Sequence, residues 1–170
     1  MSRHSCAGVL PNAVMPSCEV LRLLKGQKAI VTGANSGIGK AIAIELGKAG
    51  ADVVVNYVSG DDRAAAVVAE IESLGSRALA VKADVSQEAD VQAMFAQTIA
   101  KFGRLDILVN NAGLQKDAPL DEMTLAQWNT VIGVNLTGQF LCTREAVRHF
   151  KQRGVQPEVS CAAGKIICIS

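Results

Sequence analysis

Residues 32–40 read Thr32, Gly33, Ala34, Asn35, Ser36, Gly37, Ile38, Gly39, Lys40, a GxxxGxG spacing between a short apolar run and a run with helical periodicity. A glycine at the end of a strand allows a sharp turn. A second lets backbone N–H groups approach a phosphate, and a third lets helix and strand pack closely. The first turn of a helix adds about half a positive charge aimed at the same point. The chemistry this spacing serves is the cradling of a pyrophosphate. Gly33, Asn35, Ser36, Gly37, Ile38 and Gly39 are therefore the candidate binding residues of this loop.

Other reactive side chains are scarce. The 170 residues hold one tyrosine, Tyr57, and one tryptophan, Trp128, so a tyrosine acid or base within them is Tyr57 or none. Five cysteines (Cys6, Cys18, Cys142, Cys161, Cys168) form an odd count without a CxxC pair, and His4 and His149 are far apart. Neither a disulfide scaffold nor a metal site is expected, and reduced cysteines fit a cytoplasmic location. Asn135 shares a helical stripe with Trp128, Val131 and Ile132. It is expected to project a polar amide towards an otherwise apolar face.

These groups need a scaffold, and the hydrophobic pattern supplies one. Apolar runs at Lys28 to Thr32, Asp52 to Asn56, Ala78 to Lys82, Leu105 to Asn110 and Lys165 to Ile169 alternate with helical patterns, as in repeated βαβ units. The runs are nearly continuously apolar, which suits a parallel sheet covered on both faces. Ile38, Ala41, Ile42, Leu46 and Ala49 recur at helical spacing, as do Val67 to Leu74 and Val91 to Phe102. Gly50, Gly75 and Gly103 stand where helices stop. Thr124 with Gln127 reads as a capping box opening one long helix towards Phe150, and residues 152–164 read as a loop. Right-handed crossovers then give a doubly wound α/β sheet of the Rossmann type in the order 3-2-1-4-5, its ligand crevice outside the carboxyl ends of the strands. Residues 1–22 are expected to form a flexible extension and 23–170 the nucleotide-binding domain.

Composition narrows the classes. A net charge of +1 with 49% hydrophobic and 19% charged residues gives no footprint for nucleic acid and excludes a disordered chain. No apolar run approaches the ~20 residues of a membrane span.

Thr32-Gly33-Ala34-Asn35-Ser36-Gly37-Ile38-Gly39 resembles the TGxxxGxG cofactor loop of the short-chain dehydrogenase/reductase family. Asn110, Asn111, Ala112 and Gly113 match that family's NNAG motif, Asp84 in Ala83-Asp84-Val85 its adenine-contacting position, and Asn135 in Val134-Asn135-Leu136 its helix asparagine. The resemblance covers roughly Leu23 to Ser170. It implies binding of NAD or NADP by the glycine-loop residues with Asp84, Val85, Asn110, Ala112 and Gly113. It also implies hydride transfer with Asn135 in a proton relay.

An acidic residue closing the second strand normally binds the ribose hydroxyl and repels a 2′-phosphate. Here the chain reads Asn56, Tyr57, Val58, Ser59, so strict NAD use is disfavoured. Ser36 and Val58 supply no cation, and dual use is expected with Tyr57 flanking the adenosine site. Asp61 and Asp62 are expected to cap the next helix rather than bind ribose.

The resemblance further implies a serine, a tyrosine and a lysine four residues after it. No YxxxK occurs, Tyr57 being followed by Asp61, and Ser170 aligns with the neighbour of the family's serine. The chain is therefore expected to be the cofactor-binding part of a longer enzyme, inactive alone. Segments including Arg144-Glu145-Ala146 look like glucose 1-dehydrogenases, which implies oxidation of glucose at C1. Reduction of a 3-oxoacyl group or another small ketone is the alternative, and a non-catalytic dinucleotide-binding module the alternative of another class. The partners expected are a small sugar or ketone substrate and, for the complete protein, one or three further copies of itself.

Overall fold

The computed structural model describes residues 21–169, so His4, Cys6, Cys18, Ser170 and all but the last two residues of the expected extension lie outside the described residues. Five parallel strands form one sheet: β1 (Lys28–Val31), β2 (Asp52–Tyr57), β3 (Ala78–Lys82), β4 (Ile107–Asn110) and β5 (Lys165–Cys168). Their order is β3-β2-β1-β4-β5, the order the βαβ pattern predicts. The chain reverses direction across the sheet between β1 and β4, so the loops after these two strands lie side by side.

Helices α1 (Gly37–Lys48) and α2 (Asp61–Ser73) connect the first three strands, and α3 (Glu88–Phe102) leads into β4. The sheet separates two apolar clusters. Ala29, Val31, Val53 and Val55 pack with Ala43, Val67 and Ile71 on one face; Ile30, Val54 and Leu108 pack with Met94, Phe95 and Leu141 on the other. Successive side chains of β1 to β4 feed opposite clusters, which is why these strands read as unbroken apolar runs; β5 departs from the expected cover on both faces, its Ile166, Ile167 and Cys168 being exposed in this chain.

Gly50, Gly75 and Gly103 all adopt positive φ beyond the helix ends, as expected. Two expectations about helices are corrected. Asp61 and Asp62 occupy the first turn of α2 rather than the cap, which is Gly60 in the left-handed region at φ +83°. The long helix also begins at the Thr124–Gln127 capping box but is not uniform. It runs as α4 (Leu125–Ile132), a π-helical segment (Gly133–Gly138) and α5 (Gln139–Arg153). Glycines bound the π turn on both sides, and Gly138 sits where a Cβ would come within 2.8 Å of Val85. Wider winding at this point accompanies close approach to the loop after β3. The α4 portion buries none of its residues, and Trp128 is exposed, so the apolar face expected around Asn135 is not buried in this chain. The α5 portion packs Leu141, Cys142, Ala146 and Phe150 into the core.

Candidate functional site

At the carboxyl ends of β1 and β4 the backbone is tied together by neutral polar side chains. Thr32 Oγ1 accepts the N–H groups of Asn111 and Ala112, both at 2.9 Å. Asn111 Nδ2 donates back to the carbonyls of Thr32 and Gly33 at 2.9 and 3.2 Å. Between the first three strands, buried Asn56 plays the same part. Its Oδ1 accepts the Gly33 N–H at 3.2 Å, and its Nδ2 donates to the carbonyls of Ala83 and Val81 at 2.9 and 3.3 Å. Asn35 Nδ2 donates to the Ser59 carbonyl at 2.6 Å, fastening the glycine loop to the loop after β2. The ties at the carboxyl ends of β1, β2 and β4 are thus amides and hydroxyls, while the exposed Lys82–Asp61 pair joins the end of β3 to α2.

Close approach at the centre of this lattice depends on Gly39. A Cβ there would stand 2.4 Å from both Asn111 Nδ2 and the Gly33 carbonyl oxygen, distances no real side chain tolerates. Gly33 makes the turn itself, with φ +62°. The start of α1 is left open, because the Ser36 side chain makes no capping hydrogen bond. Uncapped first-turn N–H groups are available to an anion, and the helix dipole favours negative charge there.

The lattice lines a crevice of about 740 Å³. That size falls within the range of small-molecule and cofactor sites. Gly33, Asn35, Ser36, Gly37, Ile38 and Gly39 line it, as do Tyr57, Asp84, Val85, Ala112 and Gly113. Of the residues singled out for binding, Asn110 alone is placed elsewhere. It is buried in β4, and its Nδ2 donates to Thr143 Oγ1 at 3.0 Å. Strand alternation turns Asn110 towards α5 and leaves the next residue, Asn111, at the crevice.

Asn135 lies in the π turn, and its amide bonds the backbone of Leu114 in both directions. Oδ1 accepts the Leu114 N–H at 2.9 Å and Nδ2 donates to the Leu114 carbonyl at 3.0 Å. This amide pins the loop after β4, each of its two groups making one hydrogen bond to the Leu114 backbone. Asp84 Oδ1 accepts the N–H and Oγ of its neighbour Ser86 at 2.9 and 2.8 Å, a local turn at the crevice wall.

Asn56, Thr32, Asn111 and Arg63 were not singled out by sequence reasoning. The TG and NNAG motifs contain Thr32 and Asn111 and signal them. Nothing in the local pattern signals Asn56, whose partners are on other strands. Arg63 reads as a solvated helix residue until the structure shows it lining the crevice.

Elsewhere the reactive groups are quiet. Burial and the nearby Glu145 carboxylate push the Cys142 thiol up to about 12. No group of His, Cys, Asp or Glu suited to a metal occurs among the described residues, and no helix among them is long and apolar enough to cross a membrane.

Comparison with known proteins agrees with this geometry. The family profile described as short chain dehydrogenase matches residues 27–170. The chain is 47% identical over 131 residues to short chain dehydrogenase/reductase AacuN of Aspergillus aculeatus, covering 77% of this chain and 50% of that protein. A short chain dehydrogenase from Burkholderia cenocepacia J2315, solved in complex with NADP, superposes with a TM-score of 0.73 at 42% identity, covering 75% of this chain and 52% of the other. A dehydrogenase/reductase from Sinorhizobium meliloti 1021 gives a TM-score of 0.74 at 43% identity, covering 77% and 52%. The chain spans about half the length of these relatives.

Proposed function

The chain belongs to the short-chain dehydrogenase family, and on that premise we propose that its crevice binds NAD or NADP for hydride exchange with a small alcohol or carbonyl compound. The observation that carries this reading is the uncapped start of α1, held open on the glycine loop at the crevice. Its free N–H groups suit a pyrophosphate. The bound nicotinamide would supply the hydride acceptor or donor. The chain's own residues shape the site: Thr32 and Asn111 clamp the two loops, Asn135 fixes Leu114, and exposed Ile38 offers an apolar surface at the crevice. Asn135 is then a positioning residue.

The absence of a carboxylate at the end of β2, where Asn56 and Tyr57 stand, supports acceptance of NADP as well as NAD. For the substrate, the resemblance of Arg144-Glu145-Ala146 and its surroundings to glucose 1-dehydrogenases supports oxidation of glucose at C1 to the lactone. Reduction of a 3-oxoacyl group or another small ketone uses the same machinery. Arg144 itself pairs with Glu88 and Glu145, joining α5 to α3, so this segment supports the reading as a family signature and not as a substrate contact. Exposed Trp128, Leu136 and Phe140 along α4, the π turn and α5 support self-association into a dimer or tetramer. We place the protein in the cytoplasm, where its thiols stay reduced.

The 170 residues contain no YxxxK. A missing general acid typically costs about 10² to 10⁴ in rate. We therefore expect this chain alone to bind dinucleotide without turning over substrate. The test is to titrate the purified chain with reduced dinucleotide, then assay it with glucose and with an acetoacetyl thioester. Saturable binding without turnover is the expected result. Turnover above a protein-free blank overturns the inactivity, and absence of any binding overturns the dinucleotide reading. In a full-length relative of this chain, turnover of glucose and not of the thioester supports the sugar reading, and the reverse supports ketone reduction.

A further inference from the structure

We propose that Arg63 sets dinucleotide choice by pairing with the 2′-phosphate of NADP, so that NADP binds more tightly than NAD; this rests on the reading of the crevice as a dinucleotide site. Three observations converge on this residue. First, the place where a carboxylate would bind ribose hydroxyls and repel a phosphate holds none. Asn56 is buried and committed to Gly33, Val81 and Ala83, and Tyr57, Val58 and Ser59 follow.

Second, Arg63 reaches back from the first turn of α2 to line the crevice, where it is the one cationic side chain among the described lining residues. Its guanidinium lies against Gly60. A Cβ on Gly60 would stand 2.6 Å from Nε, 2.7 Å from Nη2 and 3.0 Å from Cζ of Arg63. Gly60 is therefore the residue that makes room for this fold-back. Asn35 donates to the carbonyls of Ser59 and Gly60 at 2.6 and 3.4 Å, so the guanidinium rests on a backbone segment tied to the glycine loop.

Third, Arg63 makes no ion pair among the described residues, while its basic neighbours do. Lys40 pairs with Glu70 at 3.2 Å and Lys82 with Asp61 at 3.3 Å. Lys40, in the first turn of α1, is drawn to α2 and does not line the crevice. Of the nearby carboxylates, Asp61 is paired with Lys82, whereas Asp84, bonded to the uncharged Ser86, and exposed Asp62 meet no cation among the described residues. An unpaired planar guanidinium presents parallel donors to a phosphate, and charge-assisted bonds of this kind are about twice as strong as neutral ones.

The experiment titrates the 170-residue chain with NADP, NAD, 2′,5′-ADP and ADP, using calorimetry on wild type, Arg63→Gln and Arg63→Lys. Arg63 is exposed, and unchanged circular dichroism will establish that the variants fold. Wild type is expected to bind NADP about tenfold more tightly than NAD, a difference the adenosine fragments reproduce. Arg63→Gln is expected to erase that difference while changing the NAD affinity by less than about twofold, and Arg63→Lys to restore part of it. An unchanged NADP affinity in Arg63→Gln, or an equal loss for both dinucleotides, overturns the role of Arg63 and leaves the dinucleotide reading standing. Failure of wild type to bind either dinucleotide overturns the reading beneath it.

Discussion

The two ends of the sheet are built from different chemistry. At the amino ends of the strands, carboxylates are buried and paired. Asp106 Oδ1 meets Arg153 at 2.6 Å, and its Oδ2 takes Arg104 at 3.0 Å and the Lys28 N–H at 2.8 Å. Asp52 holds Lys28 and Arg77, and the Arg77 guanidinium also covers the Phe102 ring at 5.2 Å. At the carboxyl ends the buried and half-buried ties, Thr32, Asn56, Asn111 and Asn135, are neutral, the Lys82–Asp61 pair is exposed, and the cation Arg63 is unpaired among the described residues. The difference teaches where function lives. Charges spent on one another close the bottom of the sheet, whereas the top keeps its backbone donors and one guanidinium available to an anion.

Mutation at each end breaks this contrast in a different observable. Asp106→Ala is expected to have the largest effect, destabilising the chain by about 3–5 kcal/mol because Arg153 and Arg104 lose a buried partner. Urea titration measures the loss, and dinucleotide affinity in the folded fraction stays within about twofold of wild type. Asn56→Ala leaves the Gly33 N–H and two carbonyls without their partner. It is expected to cost about 2–3 kcal/mol in the same titration and, unlike Asp106→Ala, to weaken dinucleotide binding as well.

Gly39→Ala sharpens the contrast further. The added Cβ forces Asn111 and the Gly33 carbonyl apart, with an expected stability loss of about 1–2 kcal/mol and an affinity loss of about tenfold or more by calorimetry. If stability fell without any change in affinity, the top of the sheet would be as purely structural as the bottom.

The smallest effect is the pH dependence of the bottom end. His149 Nε2 accepts the Leu105 N–H at 3.1 Å. Burial and the Arg153 charge hold its pKa below the ordinary 6.5, against the pull of Asp106. The folded chain therefore binds fewer protons than the unfolded one as pH falls below about 6.5, so stability is full above that value and declines as pH drops through the folded-state pKa. Denaturant midpoints measured down this range are expected to fall in wild type and to flatten in His149→Gln. A second loss follows in stronger acid. Burial tends to raise the Asp52 pKa, but Arg77 and Lys28 outweigh it and hold the carboxyl below its ordinary 3.8.

The strands and the glycine loop were legible in the sequence because their signals are local. Buried parallel strands leave continuous apolar runs, and Gly33 and Gly39 mark a turn and a close approach within a few residues of each other. Sheet order followed from chirality rules that need no side-chain detail. What stayed hidden depends on distant partners. The amide of Asn135 has the composition of a reactive group, and only the position of Leu114 shows which backbone it ties down. Asn110 and Asn111 are equivalent as letters, and the register of β4 decides which one faces the crevice. The π turn carried a faint signal, glycines at both ends of Gly133–Gly138, that helical periodicity alone passes over. Arg63 reads as a surface residue because its fold-back depends on the backbone of Gly60 and not on a motif.

The dinucleotide site proposed at the carboxyl ends of the strands is independent of the charge-paired amino ends. The most direct measurement is a fluorescence titration of reduced NADP into wild type, Gly39→Ala and Asp106→Ala under conditions where all three are folded. Saturable binding by one site is expected in wild type, with about the same affinity in Asp106→Ala and an affinity about tenfold lower or worse in Gly39→Ala. No binding in wild type, or equal binding by wild type and Gly39→Ala, would contradict it.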